Sequence, residues 1–136
     1  MPSLRSSDGH RPELLIGHPQ AFAVFNNLAP TIRSHYDSGS FSLLPQPLAV
    51  LTIALDRIGR YEAAATISKF AATAFTTAAF PEIGSTIDHL REVLGDEAYE
   101  SIASSGASRT NAAMTAYALE QIDGVRVELL YEDDVP

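Results

Sequence analysis

The chain has 136 residues, 46% of them apolar, and carries a formal net charge of −8 at pH 7. This length and apolar content fit one folded domain with a hydrophobic core and exclude a disordered chain. The acidic excess, with Lys69 as the single lysine and no clustered basic stretch, disfavours binding to nucleic acid and to anionic membrane surfaces.

The absence of cysteine excludes disulfides, zinc–thiolate centres and thiol catalysis. Residues 1–18 contain no apolar segment long enough for a signal peptide. No stretch of the chain approaches the roughly 20 apolar residues that a membrane-spanning helix needs. We therefore expect a cytoplasmic protein that makes no membrane contact.

The N-terminal third is predicted to be an irregular arm followed by one long helix. Residues 1–18 are rich in Ser, Gly, His, Arg and Pro, which is typical of an irregular segment. A helix is predicted over 20–37, where apolar residues recur every three or four positions, with a kink at Pro30. Gly39 is expected to end this helix in a left-handed conformation, before a proline-rich connector at 41–47.

Five further helices are predicted from apolar stripes and turn residues. Their approximate bounds are 47–58, 60–78, 82–94, 97–105, and 111–122 with an extension to 129. Three glycines are predicted to be structural turns at helix ends: Gly59, Gly95 and Gly106. Asp96 and Thr110 are predicted N-caps, because their side-chain oxygens can accept hydrogen bonds from free backbone N–H groups.

The predicted fold class is all-α, with about six helices in antiparallel hairpins that form a single domain over residues 19–130. Residues 125–131 alternate between apolar and polar types, so a strand is an open alternative there. Residues 131–136 are predicted to be an acidic, frayed tail. A weak internal repeat relates the corners at Gly59 and Gly95, which favours stacked helical hairpins.

The first of these corners carries the pattern Gly59-x-Tyr61-Glu62-x-Ala64, preceded by Leu51 and followed by Ala71. This pattern resembles the middle of a tetratricopeptide repeat, in which a glycine makes the tight turn and small residues let paired helices approach. Four positions depart from the repeat consensus: Thr52, Leu55, Ser68 and Thr76. The resemblance implies a short tetratricopeptide-like α-solenoid.

Four different short motifs lie along residues 32–129: Ile58-Gly59-Arg60 with Ala63-Ala64, Pro81 at a helix start, Leu90-Arg91 with Leu94-Gly95, and Gly106 with Thr110. Together they resemble the C-terminal helical region of large bacterial regulators, the LuxR-type and cyclase-linked proteins with an AAA-like signal-transduction ATPase core. The resemblance implies a region that senses or transmits a partner signal. The family's motifs in this region are structural, so they imply a fold more strongly than an activity.

Two parts of those regulators have no counterpart in this sequence. The phosphate-binding loop of the ATPase core, G-x-x-x-x-G-K-[ST], does not occur, and neither does the DNA-reading helix-turn-helix that would follow. We therefore expect a stand-alone copy, or a remnant, of the helical sensor region.

No catalytic, cofactor-binding or metal-binding constellation is predicted. The four histidines form no H-x-x-x-H pair, and Asp88, His89 and Glu92 are interpreted as a solvated helix face. The predicted contacts for a partner or ligand are Arg60, Tyr61, His35, Tyr36 and Tyr117. A structural alternative is open at the corner, with Tyr61 packing across the hairpin and Arg60 exposed. For His35 the alternative is a favourable interaction with the helix dipole.

The predicted function is a non-catalytic protein–protein interaction or regulatory module that binds an unidentified protein partner and no cofactor. Self-association is a further expectation, because solenoid fragments expose apolar end faces and the first helix has an apolar stripe. The alternative is a small-molecule-binding domain, or a minor enzyme, with a pocket between helices that uses Tyr36, Tyr117 or His35.

Overall fold

The computed structural model describes the backbone of residues 12–134 and the side chains of residues 23–129. Over the described backbone the chain forms seven α-helices and one 3₁₀ turn (Phe41–Leu43), with no strand. The α-helices are α1 (Pro12–Asp37), α2 (Pro45–Arg57), α3 (Tyr61–Ala71), α4 (Ala74–Ala79), α5 (Glu82–Leu94), α6 (Asp96–Ala107) and α7 (Asn111–Asp134). The all-α prediction is confirmed, with one helix more than the six expected.

Helix α1 starts earlier than the sequence pattern predicts. It begins at Pro12, so residues 12–18 of the predicted arm are helical, and residues 1–11 lie outside the described part. Proline suits a first helical turn because its φ angle is preset and its missing N–H would have no partner there. The end of α1 agrees with prediction: Gly39 has φ +74°, and the Ser40 N–H donates to the His35 carbonyl at 2.9 Å.

The predicted glycine turns at the corners α2–α3 and α5–α6 are present. Gly59 has φ +87° and Gly95 has φ +91°, a region that residues with a Cβ rarely adopt. At the first corner the Arg60 N–H donates to the Leu55 carbonyl at 2.9 Å, which satisfies a carbonyl left free at the end of α2. The predicted cap at Asp96 is wrong: the N-cap of α6 is Gly95, and no side chain caps that helix end.

The single helix predicted over 60–78 is two helices, α3 and α4. The break follows from Thr73, whose hydroxyl accepts a hydrogen bond from the Thr76 N–H at 3.1 Å. The Thr76 hydroxyl in turn accepts from the Thr73 N–H at 2.8 Å, so the two threonines form a reciprocal capping box. One consequence is that Phe75, on α4, is 61% exposed.

Gly106 is not a turn, which corrects the prediction. It lies inside α6, which runs on to Ala107, and it is buried against α3. A Cβ added at Gly106 would stand 1.8 Å from the backbone oxygen of Thr66. The missing side chain therefore lets the two helix backbones approach each other directly.

Helix α7 settles the alternatives left open for the C-terminal part of the sequence. It continues through Gly124 to Asp134, so the strand considered at 125–131 is wrong, and residues 131–134 of the predicted tail are helical. The predicted N-cap is confirmed, because the Thr110 hydroxyl accepts a hydrogen bond from the Ala113 N–H at 3.0 Å.

Helix α3 lies at the centre of the packing and contacts α2, α5, α6 and α7. The hairpin α2–α3 stacks on the hairpin α5–α6. Alanines on α3, among them Ala63, Ala64 and Ala71, are buried at these contacts and allow short distances between helices. Helices α1 and α7, the first and last helices described, also pack against each other. In an extended solenoid each repeat contacts only its neighbours, so that arrangement stays a prediction.

The apolar stripe of α1 is covered within the chain. Phe25, Ala29 and Ile32 are almost completely buried, and α1 packs against both α7 and α2. These three residues of the stripe are therefore part of the chain's own core.

Candidate functional site

An open groove of about 440 Å³ lies where the α2–α3 corner meets the end of α5 and one face of α7. We refer to it as the corner groove. The residues that line it are Gly59, Arg60, Tyr61, Glu62, Ala63, Leu94, Tyr117 and Gln121. Three of the five predicted contact residues, Arg60, Tyr61 and Tyr117, are thus brought together by the fold.

Arg60 joins the corner to α7. Its guanidinium forms an ion pair with Glu128 at 2.8 Å, and only 28% of its side chain is exposed. The guanidinium also passes beside Gly124 of α7, where an added Cβ would be 3.9 Å from the arginine Nη1. Arg60 is therefore held along α7, in contrast to the exposed arginine of the structural alternative, and it forms a fixed edge of the groove.

Tyr61 forms a second edge and packs on α5. Its ring meets the His89 ring edge-on, with the centroids 5.7 Å apart. His89 in turn has its Nδ1 2.8 Å from a carboxylate oxygen of Asp56 on α2. Tyr61 thus packs across the hairpin, as the structural alternative predicted. His89 lies on an exposed helix face as predicted, and its ring in addition contacts Asp56 and Tyr61.

Tyr117 forms the third edge on α7. The guanidinium carbon of Arg109 lies 4.5 Å from the centre of the Tyr117 ring, a cation–π distance. Arg109 takes part in none of the ion pairs formed among the described side chains. Within residues 23–129, no carboxylate therefore lies at ion-pair distance from Arg109.

The N-terminus of α3 also borders the groove. No side chain caps it, and the first intrahelical bond joins the Ala64 N–H to the Arg60 carbonyl at 3.0 Å. The N–H groups of Tyr61, Glu62 and Ala63 precede that bond and are left without an intrahelical acceptor. The groove lining therefore includes free backbone donors at the start of α3 beside the Glu62 carboxylate.

His35 and Tyr36, the other two predicted contacts, are not in the corner groove. They lie in the last turn of α1, where the Tyr36 ring packs on Phe41 with centroids 5.6 Å apart. Of the three predicted turn glycines, Gly59 alone lines the groove. Of the three residues predicted for a small-molecule pocket, Tyr117 alone lines the corner groove.

A second polar cluster, between α3, α5 and α6, was not predicted. Glu100 accepts hydrogen bonds from Lys69 and Arg91, and these bonds hold the pKa of its carboxyl below the ordinary value of 4.5. The bond from Arg91 to Glu100 likewise raises the pKa of that guanidinium. The Arg91 guanidinium also lies over the Tyr99 ring, with its carbon 4.6 Å from the ring centre.

Beneath this cluster the fully buried Tyr99 hydroxyl is 2.7 Å from the Ser68 hydroxyl. The Ser68 hydroxyl also donates to the Ala65 carbonyl at 2.8 Å, so both buried hydroxyls are satisfied. The residues of the cluster are far apart in sequence, and no local motif signals their meeting. The hydrogen bonds of the cluster join side chains of α3, α5 and α6 to one another, so we interpret the cluster as part of the packing between these helices.

The chemical scope of the described residues is narrow. No three His, Asp or Glu side chains within residues 23–129 converge to hold a metal ion. One buried side-chain hydroxyl in this part of the chain, that of Thr115, has no hydrogen-bond partner. Thr115 is two positions from Tyr117, so it points to the other side of α7 and away from the groove.

Comparison of the chain with protein-family models, with curated proteins and with solved structures finds no significant match. No helix in residues 12–134 combines the length and the apolar character needed to cross a bilayer.

Proposed function

We propose that the protein is a non-catalytic interaction module that binds a segment of a partner protein in the corner groove. The observation that carries this proposal is the convergence of Arg60, Tyr61 and Tyr117 on one open groove. Tyrosine and arginine are enriched at the energetic centres of protein interfaces, because each combines a large contact area with polar groups.

The way these side chains are held supports the same role. Arg60 is tied to Glu128, Tyr61 rests on His89, and Tyr117 is covered by Arg109. Side chains that are ordered before binding lose less conformational entropy when a partner arrives, so more of the contact energy is expressed as affinity. The groove is therefore organised in the absence of a partner.

The resemblance to the helical sensor region of LuxR-type regulators, with its tetratricopeptide-like corner, supports the proposal from the sequence side. The motif Gly59-x-Tyr61 that carries much of that resemblance is also the motif that forms the groove edge. In this proposal the chain acts as a stand-alone sensor region, and the stacked hairpins present the groove to the partner.

A small-molecule site is the second candidate function, and the volume of the groove favours it. About 440 Å³ lies within the roughly 300–1,000 Å³ range of ligand pockets. Such pockets bury most of their ligand, however, and the corner groove is open along one side. An extended segment that remains partly exposed fits this shape better than an enclosed metabolite.

Site-specific photo-crosslinking in cells tests the proposal. Gln121 lines the groove, and the change Gln121→benzoylphenylalanine places a reactive group at its edge. We expect one dominant crosslinked protein, which is lost when Tyr117→Leu is added, because leucine keeps apolar bulk and removes the aromatic face. The matched control is Ser104→benzoylphenylalanine, at an exposed position of α6.

Equal yields from the two crosslinker positions, or no adduct at Gln121, would contradict the proposal. A thermal-shift screen with a metabolite panel distinguishes the small-molecule site from the protein-binding groove. A compound that raises Tm in the wild type and not in Tyr117→Leu would favour the small-molecule site. Circular dichroism of each variant establishes that the helices are intact.

A further inference from the structure

Two polar contacts join α2 to α5, and they differ in how far they are withdrawn from water. Arg57 pairs with Glu82 at 2.8 Å, and both side chains are exposed. Asp56 lies 2.8 Å from the Nδ1 of His89, and only 12% of the Asp56 side chain is exposed. Exposed ion pairs contribute little because water and salt screen them. The Asp56–His89 contact is therefore the better suited of the two to fix a side chain in place.

The His89 ring can make this contact in both of its charge states. A carboxylate only accepts hydrogen bonds, so the Nδ1 of His89 is the donor. This nitrogen carries a hydrogen in the protonated ring and in one tautomer of the neutral ring. The bond orients the ring, which in turn meets the Tyr61 ring at 80° with the centroids 5.7 Å apart. The orientation of Tyr61 is thus linked through α5 to α2.

Tyr61 needs this support from outside its own helix. It is the first residue of α3, so no earlier turn of that helix restricts its side-chain rotamer. Tyr61 lines the corner groove, whereas Asp56 and His89 are not among the residues that line it. These two residues therefore act on the groove edge from outside the groove, where the hairpin α2–α3 stacks on the hairpin α5–α6.

We propose that Asp56 and His89 are positioning residues for the corner groove. They hold Tyr61 in its groove-lining orientation without touching the partner, so the stacking of the two hairpins sets the shape of the groove edge. This inference rests on the proposed function, because it names what regulates the same groove. It also separates the two α2–α5 contacts: Asp56–His89 controls the groove, and Arg57–Glu82 only joins the helices.

Fluorine NMR of the full chain tests the positioning in the absence of any partner, with Tyr61→3-fluorotyrosine as the probe. Asp56→Ala removes the bond to His89, so we expect the fluorine resonance to move toward its position in the urea-unfolded chain. Asp56→Asn keeps an acceptor oxygen and should restore the original resonance. The matched control is Arg57→Gln, which breaks the neighbouring α2–α5 ion pair and should leave the resonance unchanged.

Crosslinking from Gln121→benzoylphenylalanine measures the consequence for binding. Asp56→Ala should lower the adduct yield about 2- to 10-fold, the range to which the loss of one aromatic pair converts. His89→Asn keeps a donor for Asp56 but removes the ring, so a similar loss is expected. Tyr61→Leu should itself lower the yield, and neither change should lower it further in that background, since both act through the Tyr61 ring. Arg57→Gln should give the original yield.

A fluorine resonance that stays in place in Asp56→Ala, or that moves equally in Arg57→Gln, would overturn the positioning role. An unchanged adduct yield in Asp56→Ala despite a moved resonance would overturn it as well, because the groove would then be insensitive to its edge. Absence of any adduct at Gln121 contradicts the proposed function instead, and the fluorine measurement still decides whether Asp56 and His89 position Tyr61. Urea midpoints establish that each variant is folded.

Discussion

Helix α3 has two very different neighbours, α6 on one side and the corner groove on the other. Against α6 the backbones meet at Gly106, and the polar groups are paired internally by Ser68, Tyr99 and Glu100. At the groove the N-terminus of α3 is uncapped, and Arg109 has no carboxylate partner among the described side chains. The contrast teaches that satisfied, close-packed polar groups hold this fold together, whereas the groove surface leaves the first backbone donors of α3 without a side-chain cap.

The strongest test of the contrast is a methyl group added at the α3–α6 interface. Gly106→Ala places a Cβ against the Thr66 backbone, which cannot move independently of α3. We expect a loss of about 2–3 kcal/mol in the free energy of unfolding, as for an overpacked core site. Urea denaturation measures the change. The control is Gly84→Ala on α5, where no atom lies within 4 Å and a gain of about 0.5–1 kcal/mol is expected.

The buried hydroxyl pair should contribute next. Tyr99→Phe removes the hydrogen bond to Ser68 but keeps the ring, so a loss of about 1 kcal/mol in the free energy of unfolding is expected. A double-mutant cycle with Ser68→Ala should give a coupling energy of similar size. Tyr117→Phe in the groove is the matched control and should change stability by less than about 0.5 kcal/mol. Equal effects of the two Tyr→Phe changes would remove the distinction between the regions.

Helix α7 should tolerate the change that α6 does not. Gly124→Ala adds a Cβ 3.9 Å from the Arg60 guanidinium, an ordinary contact distance. Because alanine favours a helix more than glycine does, we expect a gain of about 0.5–1 kcal/mol in the free energy of unfolding. Thermal unfolding should show a corresponding rise in Tm. A lower Tm would mean that Arg60 requires the glycine, and that the groove edge is as closely packed as the α3–α6 interface.

The smallest expected effect is the acid sensitivity of the Glu100 cluster. Because the folded state lowers the pKa of Glu100, its contribution is present above the unfolded value of 4.5 and is lost as pH falls through the lower folded value. Between about pH 5 and pH 3, Glu100→Gln should lose less stability than the wild type. Exposed ion pairs contribute little, so the difference should be small. Glu97→Gln on the same helix is the control, and urea midpoints across this range measure both.

The local elements of the fold were largely predictable from the sequence. The bounds of α5, the N-cap at Thr110 and the corners at Gly39, Gly59 and Gly95 all follow from residues that are close in the chain. The break between α3 and α4 was missed because Thr73 and Thr76 satisfy each other's backbone N–H groups within a pattern that otherwise continues as a helix.

The candidate site was predictable in part. Arg60 and Tyr61 stood out because they follow a turn glycine, and Tyr117 because it is a large aromatic residue on a helix. His35 and Tyr36, predicted as contacts with the other three residues, lie apart from the groove, since nothing in a single sequence specifies which helix ends meet. The contacts of Arg109 with Tyr117 and of His89 with Tyr61 and Asp56 join residues from different turns or helices, so no local pattern could have indicated them.

The sequence by itself determined the all-α class, most helix ends and the tight glycine corner, because these depend on backbone preferences and on partners a few residues away. Only the tertiary structure decided that Gly106 is a helix-crossing contact, and that Arg60, Tyr61 and Tyr117 surround one groove. The physical reason is the same for both. A glycine or an arginine is compatible with many environments, and the helix packed against it selects the one that occurs.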